Sequence, residues 1–308
     1  MNYRQILVVC ALVFATAGCV YADTPTDAFA TRAALFRYDT KADLAIKENG
    51  IEQRAGVAIH DISFVAVPTT QQRVNGYLLV PSGKGPFAGI LWVHWLGEPK
   101  TSNRSQYLDE AVALAPKGVV SLLVDGMWSD PTWYEKRDPD KDYRDSINQT
   151  IALRRAMDLL AQRPDIDTKR LGYVGHDFGG MYGTLMAGVD RRAKTYVFIA
   201  VAPSLLEWAF FAGQPKSKID YIRENAPLEL SDFVHQVDNA STLFQFAKND
   251  GYISRASTGV LFSAANAPKD RKFYDADHAM NKPEIAQDRD TWLLTELVAP
   301  PPPAPPTK

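Results

Sequence analysis

The sequence predicts a single α/β domain: a mostly parallel central sheet with helices on both faces and a small lid-like insertion. Three observations point to it. From residue 62 to residue 297, β-like and helix-like segments alternate, as they do along a chain that builds a parallel sheet with crossover helices. Residues 89–94 and 119–125 are almost continuously apolar, as strands covered on both faces are. The β-rich run 170–174 then passes through Gly-x-Asp-x-Gly (175–179) into the helix-like stretch 181–189, so a strand, a sharp turn and a helix follow one another directly. At 308 residues the chain is long enough for one large core.

Taken in order, residues 1–22 have the features of an export signal. Arg4 is followed by an apolar run over 6–17 and by Val20-Tyr21-Ala22, a small-x-Ala-like cleavage site. The run is short for a membrane span. A periplasmic or secreted mature form is therefore expected; a lipoprotein signal ending at Gly18-Cys19 and an uncleaved anchor are the alternatives. Both cysteines, Cys10 and Cys19, fall inside this segment, so a chain cleaved there would have no disulfide and no thiolate ligand. Residues 23–60 are polar and mixed, with one apolar group at Ala34, Leu35 and Phe36, and are expected to pack as an extension on the flank of a domain spanning 61–298.

Within that domain, 62–67 and 74–80 pair as a hairpin, and 89–94 is a buried strand. A helix over 105–116 leads to the buried strand 119–125. Residues 126–142 form a polar loop bearing Trp128, Trp133 and Tyr134. Apolar residues near helical spacing place a long helix over 143–162. After the turn segment come a strand at 195–201, an aromatic-bearing lid-like insertion at 203–240, and a strand at 242–247. A helix at 254–265, a strand at 272–275 and a helix at 284–297 close the pattern. The tail 299–308 is mostly proline and reads as a polyproline-like end.

Composition narrows the function classes. The formal net charge is −2 and no Lys/Arg cluster gathers on one face, which argues against nucleic acid and anionic membranes as partners of the mature form. No Gly-rich phosphate loop is present, and histidines are scattered, so neither a nucleotide cofactor nor a metal is expected. A small-molecule substrate handled without a cofactor remains. Nothing in the sequence bears on oligomeric state.

The candidate chemistry centres on Asp177, at the tip of the Gly-x-Asp-x-Gly turn. His278 follows the last expected strand and titrates in the range a general base needs. Asp250 follows the strand 242–247 and is the acid expected to orient the imidazole; Asp277, adjacent to His278, is the competing acid. His94 and His176 flank the site and read as structural polar groups at strand ends. Glu98 reads as a surface residue, and His60 and His235 have no partners in the pattern.

These segments resemble the α/β-hydrolase superfamily, and within it the dienelactone-hydrolase-like branch. The resemblance rests on VNGYLLVPSGKGPFAGILWVHW entering the domain, RLGYVGHDFGG at the turn, KND after the next-to-last strand and YDADHAM after the last. It covers about residues 35 to 297, with nucleophile, acid and histidine in that fold's chain order. Dienelactone hydrolases carry cysteine at the elbow and esterases serine; an elbow Asp followed by an aromatic looks like epoxide hydrolases and haloalkane dehalogenases. The resemblance implies a cofactor-independent hydrolase using Asp177, His278 and Asp250. Asp177 would displace a leaving group to give an ester on the protein, and His278 would activate the water that hydrolyses it. The oxyanion would rest on the Phe178 N–H and one from Trp95 or Leu96. Trp128, Tyr134, Trp208 and Tyr221 are expected to line the pocket, with Tyr134 or Tyr221 as acid for an epoxide and Trp95 as donor to a halide. Phe178, where dehalogenases carry tryptophan, has no N–H for a halide. The bond cleaved is an activated ester or lactone, an epoxide or a carbon–halogen bond. The other reading is a non-catalytic small-molecule-binding protein on the same fold.

Overall fold

The structure is a computed structural model and describes residues 25–130, 132–210 and 214–298. The expected export signal and the proline-rich tail lie outside them, as do 211–213 of the lid-like insertion. Among the described residues, nine strands form one sheet in the order β1-β2-β3-β5-β4-β6-β7-β8-β9. They are β1 (Lys47–Arg54), β2 (Val57–Val67), β3 (Gln72–Val80), β4 (Phe87–Val93), β5 (Val119–Val124), β6 (Ile166–His176), β7 (Ala193–Ile199), β8 (Ser241–Ala247) and β9 (Lys269–Tyr274). The pairs from β1 to β3, and β3 with β5, are antiparallel. All pairs from β5 through β4 to β9 are parallel. The expected mostly parallel architecture is what forms.

Helices α1 (Pro25–Ala34), α2 (Leu108–Leu114), α3 (Trp133–Lys136), α4 (Asp142–Ala161) and α5 (Phe178–Val189) are followed by α6 (Leu205–Ala209), α7 (Lys218–Asn225), α8 (Leu230–Val234), α9 (Thr258–Ala264) and α10 (Pro283–Leu297). No helix among the described residues is long and apolar enough to cross a membrane. Central strands are apolar throughout because both their faces are covered: β5 and β8 are buried at every position, and β4 at every position but the first. Helix α5 is apolar on all sides and buried over Phe178–Ala187, which places it inside the molecule rather than on its surface.

Two expectations change. The extension 23–60 holds α1, all of β1 and the start of β2, so the sheet begins well before residue 61. Its apolar group does pack on the flank: Phe36 is fully buried, 5.6 Å from the ring of Phe233 in α8. Strand β1 escapes sequence reading because every residue of it is exposed; it pairs with β2 through the backbone and two exposed polar contacts, Glu48 with His60 and Asn49 with Asp61, and carries charges that suit a sheet edge. Likewise, the 126–142 segment contains α3 and two 3₁₀ turns. The insertion between β7 and β8 is helical, with α6, α7 and α8 in its described part.

Candidate active site

Strand β6 ends at His176, α5 begins at Phe178, and the one residue between them must reverse the chain. Asp177 does so at φ 54° and ψ −114°, a positive-φ conformation costly for a residue with a Cβ. Its backbone is held on both sides: the Asp177 N–H donates to the Ile199 carbonyl (2.8 Å), and its carbonyl accepts from the Met181 N–H (2.9 Å). The flanking glycines are required by space. A Cβ on Gly179 would lie 2.8 Å from the His94 carbonyl oxygen, and one on Gly175 would lie 2.8 Å from the Gly180 nitrogen.

The Asp177 side chain is fully buried. Its Oδ2 accepts from the Leu96 N–H (3.1 Å), and the Phe178 N–H also reaches the carboxylate. Its Oδ1 has no hydrogen-bond partner and faces His278 Nε2, itself unpartnered, across 3.7 Å. On the other side of the ring, His278 Nδ1–H donates to Asp250, 2.9 Å from Oδ2 and 3.1 Å from Oδ1. Asp250 is held in turn by the Tyr252 and Ile253 N–H groups, both at 2.9 Å. Asp277 instead caps its own turn through the Ala279 N–H.

Charges follow the geometry. Burial pushes the Asp177 carboxyl above its ordinary value, against the pull of His278 and the two N–H donors. Burial also opposes the imidazolium of His278, but hydrogen bonds and attraction from Asp177 and Asp250 outweigh it and push the ring up to about 9. Asp250 is held below its ordinary value, because the His278 hydrogen bond and charge outweigh burial. At neutral pH His278 therefore rests as an imidazolium held by the ionised Asp250.

No protein-family model matches the sequence, and no match to a curated protein reaches significance. Solved structures do align. An acetyl xylan esterase from Paenibacillus superposes with a TM-score of 0.69 at 17% identity, covering 87% of this chain and 93% of that one. Acetyl xylan esterase 1 from Thermoanaerobacterium gives 0.69 at 15% identity, covering 89% and 94%. A cold-adapted esterase from an Arctic intertidal metagenomic library gives 0.58 at 16% identity, covering 82% and 99%.

The chain has the α/β-hydrolase fold. Along that fold, Asp177 stands in the tight turn after β6, Asp250 follows β8 and His278 follows β9. The structure brings the three together from positions 73 and 28 residues apart in sequence.

Several expected roles shift. Of the candidate oxyanion donors, Leu96 and Phe178 point at the carboxylate, whereas the Trp95 N–H donates to Gln106 Oε1 (2.9 Å). Nor is the Trp95 indole free for a halide; it donates to Thr101 (3.1 Å). An open cleft of about 760 Å³ reaches His278 between Trp95, Leu96, Tyr134, Trp208 and Tyr252. Trp128 does not line it: the ring is fully buried, 5.5 Å from Phe178 and 5.4 Å from Tyr182, with its indole N–H on the His94 carbonyl. Tyr221 lies off the cleft too, in a small chamber of about 30 Å³ behind Phe178. Its hydroxyl donates to Asp142 (2.7 Å), and that of Tyr134 donates to the Trp208 carbonyl, so neither phenol is turned to Asp177. Sequence reasoning missed Tyr252, whose ring stands edge-on to His278 at 4.9 Å. The aromatic two places after Asp250 is the signal that marks it.

Proposed function

We propose that the protein is a cofactor-independent hydrolase in which Asp177 is the covalent nucleophile. The observation that carries this reading is the division of labour within one carboxylate: Oδ2 rests on the Leu96 N–H while Oδ1, unpartnered, faces the His278 ring. A carboxylate is nucleophilic without a base. Oδ1 attacks an electrophilic carbon, the bond to the leaving group breaks and the departing oxygen takes a proton: at the saturated carbon of an epoxide a protein ester forms, and at the acyl carbon of an activated ester or lactone a mixed anhydride. Esterification removes the Asp177 charge that helps hold the imidazolium, so His278 releases its proton more readily. As a neutral ring it takes a proton from water, whose oxygen adds to the ester carbonyl carbon. The carbonyl oxygen, Oδ2, is then already seated where negative charge develops. Collapse breaks the bond between the Asp177 carbonyl carbon and Oδ1, the proton on His278 passes to the departing oxygen, and the carboxylate returns as the alcohol, or from an anhydride the acid, is freed.

A carbon–oxygen electrophile, an epoxide or an activated ester or lactone of the dienelactone type, suits the site better than a carbon–halogen bond. The Trp95 indole is committed to Thr101 and position 178 carries phenylalanine, so two N–H groups that would hold a halide are missing. Tyr252, whose ring lies beside His278 in the cleft wall, is the phenol to which we assign protonation of a departing oxygen.

The test is a single turnover in heavy-oxygen water followed by mass spectrometry of the elbow peptide. Label is expected in Asp177. Label in the product alone would assign Asp177 to positioning water, and no reaction with any electrophile would favour the binding-protein reading. The His278→Gln variant is expected to accumulate the ester, seen as intact protein heavier by the substrate.

A further inference from the structure

Two buried imidazoles, His94 and His176, and the half-buried amide of Gln106, all without a role in the proposed chemistry, are hydrogen-bonded to the Trp95–Leu96 loop and to the His278 backbone. We propose that they are positioning residues, forming a one-way hydrogen-bond relay that clamps the Leu96 N–H and the His278 loop against Asp177. The proposal rests on Asp177 chemistry for its kinetic consequence only; the relay itself follows from donors and acceptors.

Two backbone N–H groups fix its direction, since an N–H can only donate. The Gly126 N–H points at His94 Nε2 (2.9 Å). That nitrogen must accept, so the proton sits on Nδ1, which donates to the Trp95 carbonyl (2.8 Å). The Trp95 carbonyl and the Leu96 N–H are the two ends of one planar peptide. His94 therefore sets the tilt of the plane whose other end holds Asp177 Oδ2.

The second arm starts at the Trp95 N–H, which donates to Gln106 Oε1 (2.9 Å). This orients the amide, so Gln106 Nε2 donates to His176 Nδ1 (2.8 Å). His176 must then carry its proton on Nε2, which donates to the His278 carbonyl (2.9 Å). The ring of Trp95 stacks on His176 at 5.1 Å, nearly parallel. One chain thus runs from the oxyanion loop through the residue before the elbow to the backbone of the base.

A second proton on either ring would set N–H against N–H: His94 against Gly126, His176 against the Gln106 amide. Both rings are 1% exposed, and burial holds both below the ordinary imidazole value, His94 at about 4. The relay is therefore built from neutral imidazoles beside a charged one.

The experiment uses full-length protein with ¹⁵N-labelled histidine and long-range ¹H–¹⁵N spectra. In the wild type, His94 is expected as the Nδ1–H tautomer and His176 as the Nε2–H tautomer, unchanged between about pH 5 and 9. Either ring in the other tautomer, or His176 titrating in that range, would overturn the relay. Gln106→Met keeps length and volume but neither accepts nor donates. With styrene oxide as probe, its rate of Asp177 esterification and hydrolysis is expected to fall by about tenfold or more with KM little changed. Gln106→Glu keeps the Trp95 bond but cannot donate to His176, and is expected to move a proton onto its Nδ1. A Gln106→Met rate within about twofold of wild type, in folded protein, would also sink the proposal. Should that variant fail to fold, the wild-type tautomers decide. They are read without substrate, so a wild type that never forms an Asp177 ester refutes the proposed function and leaves the relay to its own spectra.

Discussion

Asp177 combines two costs. Its positive φ is worth about 1–3 kcal/mol of strain, and its carboxylate gives up water for two N–H donors and one imidazolium. Such costs persist where surrounding structure over-determines them, as the Ile199 and Met181 hydrogen bonds do here. Asp177→Asn is expected to abolish turnover while leaving the fold, since the amide can still accept from Leu96. It also isolates an electrostatic effect. With the Asp177 charge gone, His278 keeps only Asp250 and is expected to titrate well below about 9, read from its ring protons by NMR. An unchanged value would mean that the two side chains do not interact. At this scale the sequence was informative: Asp177, Asp250 and His278 are identifiable because each follows a strand in chain order. The relay was not, because its members come from positions 94, 106 and 176 and end on the His278 carbonyl, and only the fold brings those groups into line.

The elbow as an element depends on how closely α5 approaches β4. A methyl on Gly179 would press on the Val93 and His94 carbonyls, which are backbone and cannot step aside. Gly179→Ala is expected to cost several kcal/mol, roughly the upper end of overpacking penalties, measured as a fall in melting temperature. Gly180→Ala, whose nearest neighbours are at 3.2 Å, is the milder control; equal losses would show that space at Gly179 is not the limiting factor. Element boundaries were legible where burial writes a pattern: β4, β5, β7 and β8 lie within about two residues of the sequence expectation. They failed where it does not. Strand β1 shows no alternation because neither face is buried, and the helix expected over 105–116 shortens to α2 because its first turn is spent on side-chain and backbone turns around Asn103 and Gln106.

For the molecule as a whole, the histidines predict opposing pH dependences. His94 is depressed when folded, so its contribution is complete above the unfolded value near 6.5 and is lost as pH falls toward about 4. That loss is on the order of 3 kcal/mol, and His176 acts in the same direction. His278 is raised, so its contribution is complete below about 6.5 and is lost as pH rises through about 9. Denaturant titrations at a series of pH values should give a stability maximum near neutrality, and His94→Gln should flatten the acid limb; a profile without that limb would contradict the buried neutral ring. The sheet order carries one more consequence. Among the described residues, the strand that delivers His278, β9, is the outermost of nine and pairs only with β8, whereas Asp177 grows from the middle. Peripheral strands open at lower free energy than central ones, so warming is expected to undock the proton carrier first, silencing the molecule while its interior still resists hydrogen exchange.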